Sequence, residues 1–559
     1  MKTVIIGGAA GGASAAARLR RLDEQAEIVM LERGEYISYA NCGLPYYIGG
    51  EITDRDELTL QTPESFRARF AVDVRVRHEV TAIDAARKVV LVRDRTNGAD
   101  YEEAYDTLLL SPGAEPVRPP LPGAEDDRIF TLRTIPDTYR IHAYIQTVHP
   151  KAAVIVGGGF IGLEMAENLT RAGLSVTVVE LAGHVIGALD VDTAVQVHRY
   201  LRGKGIGLLL GRAVRAFRPD GDGLGVELDD GRTLKADMAL MSVGVRPDTA
   251  LAKSAGLDMN ARGAVLVDAH MRTSDPHIYA VGDAVEVKHL IGGAPSHIPL
   301  AGPANKQGRI AADNIAGLES AYKGTQGSAI LRLFGLTVAA TGLNEDAAKA
   351  AGFDYDKIHL HSFSHATYYP NAAAMEIKVV FERKTGRILG AQLTGSDGVD
   401  KRADVLATAI RADMTASELA ELELCYAPPF SSAKDPVNMA GFAIENLVTG
   451  KVRQFHWHDV AIVREKEDAL LLDVRTDEEY GRGHIPGALH IPLHSLRERL
   501  GELSRGKTLY VYCQSGLRSY VACRILSQNG FDCYNLSGGY GLYDSVTSGM
   551  ASDGASVHS

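Results

Sequence analysis

The chain is poor in cysteine, with five in 559 residues, and it holds a single tryptophan. So few thiols exclude a disulfide scaffold, and their spacing fits no zinc motif, so no metal is expected. A reduced, cytoplasmic setting is the expectation. Long apolar runs are lacking too: none approaches the roughly 20 residues that span a bilayer. Met1-Lys2 and the apolar Val4-Ile5-Ile6 mimic a secretory signal. They run straight into a glycine turn and then Arg18, Arg20 and Arg21, so no signal is expected. Basic excess is missing as well. A net charge of -11 argues against broad nucleic-acid binding and leaves room only for local basic pockets. No low-complexity tract and no short solenoid repeat is present.

What is present reads as an ordinary globular chain, 45% apolar and 23% charged. Its length predicts several domains, each large enough for its own core. The first unit reads strand, glycine loop, helix, strand: Thr3–Ile6, Gly7–Gly12, Ala13–Leu22, Glu27–Glu32. A similar unit begins at Ala152–Val156, with its glycine loop at Gly157–Gly162 and a second strand at Ser175–Glu180. Both second strands end in an acid, so two dinucleotide-binding units are predicted.

Gly157-Gly158-Gly159-Phe160-Ile161-Gly162 is a full G-x-G-x-x-G between an apolar strand and a helix. Glycines there allow a tight turn and let a pyrophosphate approach backbone N–H groups at the helix start. Glu180 stands where a carboxylate accepts from ribose hydroxyls. No arginine lies in 180–184 to hold a 2′-phosphate, which favours NADH, with NADPH as second choice. The first loop, Gly7-Gly8-Ala9-Ala10-Gly11-Gly12, carries Ala9 at the middle glycine, and Glu32 supplies its ribose acid. Downstream, Thr273-Ser274 and Ile278-Tyr279-Ala280-Val281-Gly282-Asp283 match the second flavin motif of two-dinucleotide flavoproteins. There the aspartate binds the ribityl chain of FAD.

Two cysteines sit in reactive-loop sequences. Cys42 lies in Ser38-Tyr39-Ala40-Asn41-Cys42-Gly43-Leu44-Pro45. Cys513 opens Cys513-Gln514-Ser515-Gly516-Leu517-Arg518, just after the apolar run 508–512. A cysteine followed by a short glycine-containing loop and an arginine suits thiolate chemistry: loop N–H groups and the next helix start stabilise the anion, and Arg518 adds positive charge.

Over roughly residues 1–445 these motifs resemble the pyridine nucleotide–disulfide oxidoreductase superfamily. Ser111-Pro112-Gly113-Ala114 and 242–248 look like its interdomain segments. A C-x4-C pair is absent, because Tyr47 stands at the partner position. The resemblance therefore points to the single-cysteine branch: NADH oxidases, NADH peroxidases and coenzyme A disulfide reductases. One cysteine stores oxidation as a sulfenic acid or as a mixed disulfide with a small thiol.

Ser14, Arg18 and Arg21 share one helix face by their i, i+4, i+7 spacing, and arginines suit phosphate. The resemblance makes that face a coenzyme A site, joined by Ser38, Asn41, Asn305, Arg309 and Lys434. The family's basic residue after Thr62-Pro63-Glu64 has no clear match, and Arg67 and Arg69 are the candidates. Tyr368 and Tyr426 match tyrosines that reach the thiol site from the partner subunit, which implies a homodimer. By the same resemblance Gly7, Ala9, Ala10, Gly12, Glu32, Arg33, Asn41, Ala114, Asp283 and Ala301 hold FAD. Gly157, Gly159, Phe160, Ile161, Gly162, Glu180 and Gly244 hold the nicotinamide cofactor. Phe160 covers the flavin in relatives, and Glu164 lies near its reactive edge.

From 470 to 475, 483 to 488 and 513 to 518 the chain resembles a rhodanese domain over about 455–550. Cys523 and Cys533 read as core. His456 and His458 flank Trp457 in a linker, and metal binding is not expected there. The fold class is α/β: two Rossmann-like domains, an α+β dimerisation domain and a C-terminal rhodanese-like domain. Expected boundaries are 1–115 and 246–325 for FAD, 116–245 for NAD, 326–448 for dimerisation, 449–457 for the linker and 458–559 for rhodanese. Residues 552–559 are polar and expected to fray.

The expectation is an NADH-dependent flavoprotein reducing CoA persulfide, polysulfide and CoA disulfide through Cys42, with Cys513 taking up sulfane sulfur and a bound CoA carrying it. The alternatives are an NADH oxidase or peroxidase cycling Cys42 through sulfenic acid, and a persulfide-sensing sulfur carrier.

Overall fold

A computed structural model describes residues 1–552; the expected fraying of the C-terminus falls almost wholly outside them. The chain divides into two compact units, 1–179 with 212–327, and 180–211 with 328–559.

In the first unit a parallel sheet runs in the order Ile278–Ala280, Thr107–Leu110, Lys2–Ile6, Glu27–Glu32, Asp73–Val76. Val4 and Ile5 are buried, as an unbroken apolar run in a central parallel strand must be. The helix Ala10–Leu22 starts at the end of that strand, three residues earlier than predicted. Its alanines share a core with Ala311 and Ala312 of the helix Ala301–Ile315. Gly11 and Gly308 set how near the two helices come, since a Cβ on Gly308 would stand 2.3 Å from the Gly11 carbonyl oxygen.

The second nucleotide unit repeats this plan. Ala152–Val156 lies between Ser175–Glu180 and Met238–Met241, all parallel, with Ile129–Phe130 beyond. The two segments read as interdomain, Ala114–Pro116 and Val245–Pro247, pair antiparallel with Ala114 opposite Pro247.

The second unit holds two sheets. One is antiparallel, in the order Ala329–Leu333, Leu336–Gly342, Ile388–Gly395, Ala374–Glu382, Tyr355–Phe363. Its helix, Val399–Arg411, begins where Gly398 adopts φ +69° and turns the chain directly into it. The other sheet is parallel: Gln454–Phe455, Cys533–Leu536, Thr508–Tyr512, Ala469–Asp473, Leu489–His490. Part of the segment read as linker is thus an edge strand, Gln454 pairing with Asn535. Helix Val191–Gly203 packs Val195 against Leu542 and Val546 of Gly539–Ser552, with Trp457 at the rim.

Beside Trp457 lies a buried ionic cluster. The Lys378 ammonium is 2.8 Å from Asp190, 2.7 Å from Asp192 and 2.5 Å from Glu345. Those three carboxylates converge as metal ligands would, but Lys378 is their cation. His359 reaches Asp192 at 3.3 Å, Lys357 reaches Glu345 at 2.5 Å, and the Trp457 indole N–H donates to Asp192 at 3.4 Å. His456 pairs with Asp356 at 2.9 Å. Among the described residues, no helix is long and apolar enough to cross a membrane.

Candidate active sites

The first glycine loop is built for close backbone approach. Gly7 has φ +96°, and a Cβ there would stand 2.2 Å from the Ser111 carbonyl oxygen. Glu32 accepts from the N–H groups of Gly8 (2.9 Å) and Gly34 (2.8 Å), so the loop orients this acid. Helix Ala10–Leu22 has Ala9 at its N-cap, and no N-cap side chain hydrogen-bonds the helix start. Asp283 sits in the turn Gly282–Ala284, where Gly282 N–H donates to buried Gln307 at 2.7 Å and His297 donates to the Asp283 carbonyl at 2.7 Å. Its carboxyl is pushed up by burial, against the pull of Arg133 and His297. Among the described residues nothing hydrogen-bonds that carboxylate. A half-buried acid without a partner and an uncapped, glycine-lined helix start in the same unit fit FAD. Ala114 is buried and Ala301 is exposed at its helix start. Arg33 does not stand free: it pairs with Asp248 at 2.7 Å.

Cys42 lies in the short turn Asn41–Gly43, ahead of helix Leu44–Ile48. Buried Leu44, Pro45 and Ile48 anchor that helix. Ser38, at φ 45°, donates its N–H to the Gly8 carbonyl at 2.8 Å, which ties the cysteine loop to the glycine loop. Ala40 N–H and the Leu60 N–H complete the tie, to Leu58 and Ser38. The residue reaches solvent, yet protein around the sulfur pushes the thiol up, as do the charges of Glu164 and Asp283. Glu164 is itself pushed up to about 7 by burial, with the Tyr46 hydroxyl donating to it at 3.4 Å.

In the second glycine loop Gly157 has φ +109°, and a Cβ would meet the Ser242 carbonyl oxygen at 2.2 Å. A Cβ on Gly162 would meet the Gly157 oxygen at 2.1 Å, while Gly159 and Gly244 face open space. Phe160 opens helix Phe160–Arg171, and Ile161 is exposed beside it. Glu180 takes the N–H of Ala182 at 2.7 Å. Gly157→Ala is expected to weaken NADH binding at least ~10-fold while flavin content is retained, because strain at φ > 0 and the 2.2 Å clash both displace the loop. Titrating NADH against the flavin-loaded protein checks this.

The residues expected to face coenzyme A divide. Ser14 Oγ donates to Asn305 Oδ1 at 2.6 Å, so the two helices do bring these together. Arg18 is ion-paired with Asp313 at 2.7 Å, so it does not stand free as a phosphate ligand. Arg21 and Arg309 are exposed, as is Arg69. Arg67, on helix Pro63–Phe70, turns to the strand that follows, donating to the Val74 carbonyl at 3.0 Å beside Asp73.

In the second unit the hydroxyls of Tyr368 and Tyr426 share a hydrogen bond of 2.8 Å, and both rings are open to solvent, 74% and 47%. Buried Arg402 joins the two segments that carry them, donating to Ser364 O, Ser431 Oγ and Asp435. Lys434 stands exposed on the same segment.

Cys513 is fully buried at the end of Thr508–Tyr512. Its sulfur accepts from Gly516 N–H at 3.1 Å and from Ser519 Oγ at 3.3 Å. Gly516 needs φ +96° to aim that N–H. Arg518, expected to add positive charge to the loop, interacts with the Cys513 sulfur and also binds Glu479 through both terminal nitrogens, at 2.8 and 2.7 Å. That pairing holds Glu479 down at about 2. Glu479 was missed in the sequence, although Thr476-x-x-Glu479 is a visible capping-box pattern and does cap the helix Asp477–Gly481. Cys523 and Cys533 are buried in the domain's core.

With these sites in place, comparison with known proteins is decisive. The profile described as pyridine nucleotide-disulphide oxidoreductase matches residues 1–308, more than half of the chain. The chain belongs to that family. Its dimerisation domain matches 329–436, and a rhodanese-like domain matches 459–545. The coenzyme A disulfide reductase of Staphylococcus epidermidis is 34% identical over 442 residues, 79% of this chain and 99% of that one. The structure of reduced Bacillus anthracis CoADR-RHD is 48% identical, with a TM-score of 0.96 and 98% of each chain covered. A NAD-dependent persulfide reductase from A. fulgidus is 38% identical, with a TM-score of 0.90 over 97% of this chain and all of that one. The family and the two further matches agree with the α/β architecture expected from the sequence.

Proposed function

We propose that the chain is an NADH-dependent flavoprotein that reduces CoA persulfide and CoA disulfide through Cys42 and handles sulfane sulfur at Cys513. One observation carries the reading. A lone cysteine is tied by backbone to a flavin-type glycine loop, in a chain that also cradles a second cysteine between loop N–H and hydroxyl donors. The boundaries given above are the proposed domains, and the chain acts as a homodimer.

Gly7, Ala9, Ala10, Gly12, Glu32, Asn41, Ala114, Asp283 and Ala301 are proposed to hold FAD, which supplies two-electron transfer between NADH and the Cys42 sulfur. Gly157, Gly159, Phe160, Ile161, Gly162, Glu180 and Gly244 take NADH. Ser14, Arg21, Ser38, Asn305, Arg309 and Lys434 take CoA, with Arg18, Arg67 and Arg69 as lesser contributors because two of them are already paired.

The Cys42 thiolate attacks the CoA-bound sulfur of CoA persulfide. Hydrosulfide leaves, and a Cys42–CoA mixed disulfide remains. An electron pair then cleaves it to two thiolates. Tyr368 and Tyr426, hydrogen-bonded to each other, are proposed to donate to the departing sulfur of the other copy in the homodimer. At Cys513 the N–H and hydroxyl cradle stabilises thiolate and persulfide alike.

The test is NADH oxidation by the FAD-loaded protein with CoA persulfide, CoA disulfide, polysulfide and hydrogen peroxide offered in parallel. Turnover with the CoA species is expected. Fast turnover with peroxide alone overturns the reading in favour of a sulfenic-acid peroxidase.

A further inference from the structure

The Cys513 loop leans on a turn that follows the strand Cys533–Leu536 and leads into helix Gly539–Ser552. Tyr540 N–H donates to the Cys513 carbonyl at 2.7 Å, and Gly541 N–H donates to the Gln514 carbonyl at 2.9 Å. A Cβ on Gly539 would stand 2.6 Å from the Cys513 carbonyl oxygen and 2.7 Å from Ser515 N, so turn and loop meet backbone to backbone. Moving the turn would therefore move the loop. With it would go the Gly516 N–H and the Ser519 hydroxyl that face the sulfur.

The far side of this turn rests on the antiparallel sheet. Tyr355–Phe363 is that sheet's edge strand and pairs on one side only, with Ala374–Glu382. An edge strand leaves N–H and C=O groups without a ladder partner. Two of them are taken here by side chains from the parallel-sheet domain. His359 N–H donates to Ser537 Oγ at 3.1 Å, and Gln454 Nε2 donates to the Lys357 carbonyl at 2.7 Å. Gly538, at φ +75°, lies so near the strand that a Cβ would stand 3.1 Å from the His359 Cβ. The strand is fixed at this point, because the His359 imidazole reaches Asp192 at 3.3 Å. Ser537 is buried, so bulk water does not replace a partner lost there.

We propose that Ser537 and Gly538 are positioning residues for Cys513, and that their seat lies outside their own domain, on His359 of the dimerisation-domain edge strand. The proposal rests on the reading of Cys513 as the sulfane-sulfur site. The donors that stabilise a thiolate or persulfide there are aimed by contacts running from His359 through Ser537–Tyr540 to Cys513.

The test uses the full-length, FAD-loaded protein. Iodoacetamide labelling of Cys513 is followed by peptide mass spectrometry between about pH 5 and 10. Thiocyanate release from CoA persulfide and cyanide is measured beside it, with the Cys513→Ser rate subtracted. Ser537→Ala deletes the oxygen that seats the turn and adds no bulk. The midpoint of its labelling profile should move to higher pH by at least ~0.5 unit, because the thiolate's donors are no longer aimed. Its thiocyanate kcat should fall about tenfold, with KM within about twofold of the parent's. Gly538→Ala pushes the turn off the strand and should move both readings further the same way. NADH-dependent reduction of CoA disulfide at Cys42 should stay at the parent level in both variants. Arg518 with its partner Glu479, Arg475 at Gln514 and buried Cys523 are unchanged in them, so a moved midpoint reports the aim of the N–H and hydroxyl. A domain that merely opens more often changes the labelling rate and leaves the midpoint in place. A midpoint that neither variant moves overturns the proposal, whatever happens to the rates. A parent that releases no Cys513-dependent thiocyanate overturns the sulfane-sulfur reading instead, and the labelling midpoint then decides the positioning role by itself.

Discussion

Replacing Cys42 with serine is expected to lower NADH-dependent reduction of CoA disulfide and CoA persulfide by at least ~10³-fold. A hydroxyl cannot take part in thiol–disulfide exchange, so no mixed species forms. The loss should be chemical, not structural. Cys42 reaches solvent, and the turn is held by the Ser38, Ala40 and Leu60 backbone bonds and by buried Leu44, Pro45 and Ile48. Flavin content and thermal midpoint should therefore match the parent, and thiocyanate release at Cys513 should persist. Retention of a tenth or more of the NADH oxidation rate would sink the role assigned to Cys42.

The same thiol carries a pH signature. Burial and the carboxylates of Glu164 and Asp283 push Cys42 up, so its thiolate appears at higher pH than an ordinary cysteine's. Iodoacetamide labelling of Cys42 should accelerate accordingly late on the alkaline side. Glu164→Gln removes one of the two charges and should move that profile to lower pH. A profile that stays put assigns the shift to burial and Asp283 alone.

Much of this was legible because it is local. A glycine loop, the acid one strand later and a cysteine beside Gly43 are patterns of a few residues each, and the backbone conformations they require follow from residue type. Gly7 and Gly157 both need φ near +100° and the absence of a Cβ, so the two loops could be read directly. Pairings across the fold could not. Arg18 meets Asp313, and Arg33 meets Asp248, at sequence separations where nothing local marks the partner. Spacing alone thus made Arg18 look like a free phosphate ligand. The strand Gln454–Phe455 is two residues long, too short for any period to show, so its segment read as a linker. Glu479 lay between these cases: its capping role was written in the sequence, but its grip on Arg518 needed the fold.

Lys378→Met is expected to be the most damaging substitution away from either cysteine. Lys378 is 1% exposed and stands among Asp190, Asp192 and Glu345, two of which lie nearly two hundred residues away in sequence. Methionine keeps the length of the side chain but removes the cation. Asp192 is then left buried with His359, the Trp457 indole and the field of Lys357. Breaking such a buried pair costs about 3–5 kcal/mol, which would lower the midpoint of the second unit's thermal transition by roughly 10 °C. The pH dependence separates this cause from simple loss of packing. With Lys378 present, Asp192 and Glu345 are held below the usual carboxylate range. They contribute stability above the unfolded carboxylate pKa of about 4 that is lost as pH falls through their lower folded values. In the variant Glu345 keeps Lys357 at 2.5 Å, whereas Asp192 loses the largest offset to its burial, so Asp192 is the group that should titrate above the unfolded value and bind a proton on folding. Parent and variant should therefore diverge as pH rises from 5 to 8 and converge toward acid. A gap that is constant across that range would mean that Lys378 acts through its methylenes, and that the cluster joining helix Val191–Gly203, the antiparallel sheet and Trp457 is held by shape and not by charge.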